Sequence, residues 1–225
     1  MSTPTYVQRL RVTFSKTGPT RFISHLDIAR TWERALNRAK IPVTYSQGFN
    51  RRPKMQFATA TPLGMTSECE LMDVWLDEAL DTAVAHEMMM QRMAPGIEVL
   101  AVQEVPLQGD TLQTLTRETV YEAIIPAETM SAEVLRERVA ALLAADTLLR
   151  ERTVKRKVKS YDLRPLILDL QLVETDTAVE DLRLIMHLML EPGRTGRPDE
   201  VLLALGADPL DVRMHRTAMT LADET

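Results

Sequence analysis

Cysteine is almost missing from this sequence: Cys69 is the only one in 225 residues. A disulfide framework, a cysteine zinc site and a protein-held iron–sulfur cluster each need several thiolates, so all three are excluded. No run approaches the roughly 20 apolar residues that span a bilayer. Met1 to Tyr6 carries no basic region followed by an apolar stretch, so a cytoplasmic location is expected. The chain also lacks a phosphate loop, a dinucleotide-binding glycine turn and a G-x-S-x-G nucleophile elbow, which weighs against an enzyme. His25, His86, His187 and His215 are dispersed, without the spacing of a structural metal site, and no metal or cofactor is expected.

What is present is the composition of a globular protein, 45% hydrophobic and 26% charged, long enough for one large core or two small ones. Its charge is segregated. The net charge of −5 conceals eleven basic residues against only Asp27 and Glu33 before Thr61. From Thr61 to Asp110 the balance reverses, with ten acidic residues against Arg92 alone. A second basic cluster runs through Arg150, Arg152, Lys155, Arg156, Lys157, Lys159 and Arg164. A local basic face attracts phosphates whatever the total charge, because the field at contact range is set by groups within about 8–10 Å.

The hydrophobic pattern predicts an α+β protein. Tyr6 to Phe14 alternates like a strand, with Leu10 and Val12 on one face and Arg9 and Arg11 on the other. Ser24 with Asp27 three positions on has the spacing of a helix cap. From Ser24 to Ala39, Leu26, Ala29, Trp32, Leu36 and Ala39 form an apolar stripe, while Arg30, Arg34 and Arg38 recur at i, i+4 and i+8 on another face. Short strands are expected around Val43–Tyr45 and Met55–Thr59, then a strand at Glu70–Leu76, a helix at Leu80–Met93 and a strand at Ile97–Val105. This β-α-β-β-α-β order describes a ferredoxin-like half over residues 1–108. A second, divergent half over residues 109–225 has a strand at Thr119–Ile125, a helix at Ser131–Ala145, alternating strands at Leu166–Leu172 and Leu182–Leu190, a short helix at Arg197–Leu205 and a strand at Val212–Leu221, with an extra strand or hairpin. A helix at Ala178–Glu191 competes with the second of those alternating strands.

The strongest local feature is the basic helix beside the loop Gln47 to Lys54. Arg30, Arg34, Arg38, Arg51, Arg52 and Lys54 suit phosphate oxygens, Phe49 or Tyr45 an unpaired base, and Gln47 and Asn50 base edges. The bland alternative is a solvated helix face beside a glycine turn, with Phe49 packed inward. In the second basic run Lys155, Lys157 and Lys159 are further RNA-binding candidates, read as an edge strand or a hairpin arm reaching RNA. His25, at a helix N-terminus that favours neutral imidazole, with Tyr45 or Lys54 would make a metal-independent endoribonuclease, the runner-up; a histidine that fixes the turn is preferred.

The segments Arg21-Phe-Ile-Ser-His-Leu-Asp27, Trp32-Glu-Arg-Ala-Leu36, Tyr45-Ser-Gln-Gly-Phe-Asn50, Pro53-Lys-Met55 and Pro62-Leu-Gly64 resemble the radical-SAM-linked protein family of unknown function, in its stand-alone form. The resemblance continues through Lys159-Ser-Tyr-Asp-Leu-Arg-Pro165 and Gly196-Arg-Pro198. It implies association with a radical-SAM protein. This chain has no Cys-x-x-x-Cys-x-x-Cys, so the cluster chemistry would belong to that partner. At fold level alone the halves resemble the repeat-associated RNA-binding proteins of CRISPR systems. The expected function is an RNA-binding accessory protein presenting tRNA, rRNA or a ribosomal component to a radical-SAM enzyme. A protein-interaction scaffold using the acidic faces at Glu68–Asp81 and Asp199–Asp211 is the third reading.

Overall fold

A computed structural model of the chain describes residues 6–47, 49–154, 157–173 and 181–222. The architecture is mixed α+β, built on antiparallel strand pairs with several helices. It divides into two compact units, Met1–Thr116 with Ala222–Thr225, and Arg117–Leu221. No helix of the described residues is long and apolar enough to cross a membrane.

The first unit contains β1 (Gln8–Lys16), α1 (His25–Arg38), β2 (Met55–Phe57), β3 (Thr66–Leu76), α2 (Thr82–Met90), β4 (Ile97–Val105) and a single turn, α3 (Leu112–Leu115). Its strands lie in the order β2-β3-β1-β4, each neighbouring pair antiparallel. In β1, Leu10, Val12 and Phe14 point into a core shared with Ile28, Trp32 and Leu36 of α1 and Met72, Val74 and Leu76 of β3. The centroids of Phe14 and Trp32 stand 5.0 Å apart, edge to face. The cap expected at Ser24 is present: its Oγ accepts from the Asp27 backbone N–H at 3.2 Å and donates to the Asp27 carboxylate at 2.7 Å. Gly96, at φ +87, lets the start of β4 approach the turn after β1; a Cβ there would sit 2.7 Å from the Thr17 carbonyl oxygen.

The other face of this sheet departs from the expected alternation. Arg9 and Arg11, the polar side of β1 in sequence, are 2% and 4% exposed. Register places Arg11 opposite Asp73 and Arg9 opposite Trp75. Asp73, fully buried, accepts from Arg11 Nε at 2.8 Å, Arg11 Nη2 at 3.0 Å, Arg9 Nε at 2.9 Å and Arg9 Nη2. Two guanidiniums are therefore tolerated inside because one carboxylate takes four hydrogen bonds from them. Lys16 is buried as well, so three of the eleven basic residues before Thr61 lie inside the unit and not on its surface.

The second unit contains β5 (Thr116–Ile125), α4 (Ala132–Ala144), β6 (Leu149–Val154), β7 (Lys157–Asp162), β8 (Ile167–Val173), β9 (Leu182–Glu191), β10 (Arg194–Thr195), α5 (Pro198–Ala204) and β11 (Arg213–Leu221). The main strands lie in the order β8-β9-β5-β11, so the first, second, third and last of them repeat the neighbour order of the first unit. Among the described residues β6 and β7 pair only with each other, as a hairpin inserted between α4 and β8. Leu182–Glu191 is a strand and not a helix: Leu184, Met186, Leu188 and Leu190 alternate into the core, which a 3.6-residue period would not allow.

Candidate nucleic-acid interface

α1 buries Trp32 and Leu36 and leaves Arg30, Arg34 and Arg38 exposed. The three differ in how engaged they are. Arg30 pairs with Asp27 at 3.1 Å, one helical turn earlier, in a solvent-exposed bridge worth little. Arg38 donates to the Arg92 carbonyl at 3.5 Å. Arg34 has no carboxylate within 4 Å among the described residues.

The adjoining arm is built by backbone pairing. Bridges join Val43 to Leu76 and Tyr45 to Pro53. Ser46 N–H donates to the Arg52 carbonyl at 2.8 Å, and Arg52 N–H donates to Ser46 Oγ at 3.0 Å, which closes a loop at residues 47–51. Gln47, Phe49, Asn50, Arg51 and Arg52 are all exposed on it; Gly48 lies outside the described residues. Phe49 is fully exposed, so it is not packed inward. Arg52 reaches Glu33 of α1 at 3.8 Å, which sets the loop beside the helix. The Arg51 guanidinium stands 5.9 Å from the centroid of Tyr45. Lys54 turns elsewhere: its ammonium lies 3.6 Å from the centroid of Tyr6 and 4.6 Å from that of Trp75.

His25 stands half-buried at the N-terminus of α1, edge-on to Phe57 at 5.1 Å. No hydrogen bond or ring contact joins it to Tyr45 or Lys54. Phe57 belongs to the core under the helices, whereas the Lys54 ammonium lies on Trp75, which alternates to the other face; His25 and Lys54 are thus on opposite sides of the sheet. Burial lowers the His25 pKa from its ordinary value of 6.5; nearby Glu70 opposes this and Lys16 reinforces it. The unfolded chain therefore takes up this proton at higher pH than the folded one. Stability from this group is full above pH 6.5 and declines as the pH falls below it. Urea melts of wild type and His25→Gln between pH 7.5 and 5 should show a decline that is shallower in the variant.

In the second basic run, the β6–β7 register sets Arg152 opposite Lys159 and Arg150 opposite Tyr161. Lys159 is exposed on the hairpin. Lys157 opens β7, and Lys155 lies outside the described residues.

A model of one bacterial family, described as an uncharacterized protein conserved in bacteria (DUF2344), matches residues 9–198. The chain belongs to the DUF2344 family. No curated protein matches it. Among solved structures it is similar to a crystal structure of a Cbf5-Nop10-Gar1 complex, at 10% identity and TM-score 0.46, covering 95% of this chain and 50% of the other. It is also similar to the archaeal box H/ACA sRNP Nop10-Cbf5 complex, at 10% identity and TM-score 0.44, covering 97% of this chain and 52% of the other. The chain thus spans about half the length of these neighbours. At this level of likeness no residue and no activity is assigned.

This DUF2344 chain also assembles groups that its sequence did not announce. On the Arg9 face of the first unit, a cavity of about 350 Å³ is lined by Tyr6, Arg9, Lys54, Gln56, Trp75 and Asp110. The signal available was the two-residue period itself, which puts Arg9, Trp75 and Lys54 on one face once β1, β2 and β3 are in register. Among the described residues of this DUF2344 member, no three His, Cys, Asp or Glu side chains cluster to hold a metal ion.

Proposed function

We propose that the chain is an RNA-binding accessory protein that presents a tRNA, an rRNA or a ribosomal component to a radical-SAM modifying enzyme. The observation that carries the RNA reading is the fully exposed Phe49 on a loop that also exposes Arg51 and that Arg52 joins, through Glu33, to the helix exposing Arg34 and Arg38. An unburied aromatic ring on a backbone-braced loop costs solvation and offers a stacking surface, and the arginines of the loop and the helix supply phosphate contacts. The radical-SAM partner is drawn from the sequence resemblance and supplies the cluster that a chain with one cysteine cannot hold. We read both units as ferredoxin-like sandwiches, the second carrying the β6–β7 hairpin as its addition, on the shared strand order. The nuclease reading, His25 with Tyr45 or Lys54, is not preferred, because His25 and Lys54 lie on opposite faces of the sheet and no hydrogen bond or ring contact joins His25 to Tyr45.

Fluorescence anisotropy of a labelled, unstructured 12-nucleotide RNA across a salt series tests this. Each phosphate contact on a single strand contributes about 0.7 to the slope of log K against log salt, so replacing Arg34, Arg51 and Arg52 by alanine should lower the slope by about 2. Phe49→Ala should weaken binding by about 1–3 kcal/mol with the slope unchanged. Unchanged affinity and slope in both variants would sink the reading.

A further inference from the structure

Two stretches distant in sequence, Lys159-Ser-Tyr-Asp-Leu-Arg-Pro165 and Gly196-Arg-Pro198, meet at one cavity within the second unit. It holds about 450 Å³, and its walls include Arg152, Lys159, Tyr161, Leu166, Thr195 and Arg197. That is the size of a small-ligand pocket, about 300–1,000 Å³. Gly196 allows the two stretches to close on each other: a Cβ there would stand 2.6 Å from the Leu166 carbonyl oxygen and 3.0 Å from Leu188 Cβ.

The charge on the walls is not matched locally. Arg152 and Lys159 face each other directly across the hairpin, an arrangement that repels unless an anion lies between or above them. Neither has a carboxylate within 4 Å among the described residues. The two acids nearby are each engaged: Asp199 takes hydrogen bonds from Arg197 at 3.2 and 2.5 Å, and Glu200 lies 3.2 Å from Arg150 Nε. A second observation is independent of charge. The Tyr161 hydroxyl is buried and has no hydrogen-bond partner among the described residues, whereas buried donors are ordinarily paired. Burial, then Glu200, pushes its pKa above the ordinary phenol value, so it stands ready as a neutral donor.

We propose that this cavity binds the terminal phosphate of a nucleotide-sized ligand. Arg152 and Lys159 neutralise the phosphate, the Tyr161 hydroxyl donates to one of its oxygens, and Leu166 with the Tyr161 ring carries the less polar remainder. A terminal phosphomonoester has a charge of about −1.5 to −2 at neutral pH, which matches two excess cations; a backbone phosphodiester has one. The same group occurs on a free nucleoside monophosphate and on the 5′ end of an RNA. The proposal goes beyond RNA binding by the first unit and does not depend on it.

Calorimetry on the full chain would compare each of the four ribonucleoside monophosphates with its nucleoside, and a 5′-phosphorylated eight-nucleotide RNA with its 5′-hydroxyl form. The phosphorylated member of at least one pair should bind about tenfold tighter or more, the effect of one charge-assisted hydrogen bond. Arg152→Ala with Lys159→Ala should erase that contrast, and Tyr161→Phe should reduce it without lowering the melting temperature, since it removes an unmatched donor. The Arg34, Arg51 and Arg52 triple alanine variant should keep the contrast, which separates this site from the interface on the first unit. A contrast among the monophosphates names a free nucleotide as the source, and one confined to the oligonucleotides names an RNA end. No contrast in any pair, or a contrast that survives in the Arg152 and Lys159 variant, overturns the proposal.

Discussion

Replacing Asp73 with alanine is expected to remove about 3–5 kcal/mol from the free energy of unfolding, read as a lower urea midpoint at an unchanged denaturant slope. Asp73 has no exposed surface, and the two guanidiniums on it are 2% and 4% exposed. Without the carboxylate, two buried guanidiniums lose the counter-charge they share. Arg9 keeps contacts with the carbonyls of Pro106 at 3.4 Å and Asp110 at 3.2 Å, but a neutral carbonyl does not replace a counter-charge. The sign of a second measurement follows from the same physics. Changing Arg9, Arg11 and Asp73 together to methionine, leucine and valine removes the desolvation cost along with the attraction, so the triple variant should lose much less than Asp73→Ala alone. If the triple variant is the less stable of the two, the triad contributes net stability and the desolvation argument is wrong.

How much of this was legible beforehand depends on how local each determinant is. The cap at Ser24, the helical stripe of Trp32 and Leu36 and the strand Ile97–Val105 all follow from neighbours within a few residues, and the structure has them. The alternation over Leu182–Leu190 was also sufficient to choose strand over helix, because every second side chain is apolar. What the alternation alone did not reveal is that the polar side of β1 is buried too. Arg9 and Arg11 are buried because their partner Asp73 lies more than sixty residues away, and nothing near β1 signals it. The hairpin β6–β7 was open to two readings for a related reason. Basic residues at consecutive positions leave both faces charged, so the pattern alone does not choose the register that places Arg152 against Lys159. At the candidate interface, the row of arginines was readable from its four-residue spacing. The exposure of Phe49 was not, since an aromatic in a glycine-containing loop packs inward as readily as it points out, and the outcome turns on whether the surrounding core has room. Here Phe14, Trp32 and Phe57 supply the aromatic rings of the core under α1.

That core makes Trp32 the other position of large expected effect. Its side chain has no exposed surface and meets Phe14 edge to face, so Trp32→Ala should cost about 3–5 kcal/mol from lost burial and the cavity left behind. The indole N–H finds no hydrogen-bond partner among the described residues, so Trp32→Phe deletes an unmatched donor while keeping an aromatic ring, and its loss should be clearly smaller. The two variants also separate core from interface. Arg34 and Arg38 are exposed on the same helix that Trp32 anchors. If Trp32 acts only by holding α1 in place, Trp32→Ala lowers the folded fraction and with it the apparent RNA affinity. It does so by the same factor at every salt concentration, because the folded molecules present the same number of phosphate contacts. The slope of log K against log salt should therefore match wild type in Trp32→Ala and fall only when the arginines are removed. A slope that falls in Trp32→Ala, measured where circular dichroism shows the chain folded, would mean that the position of α1 itself decides which arginines reach the RNA.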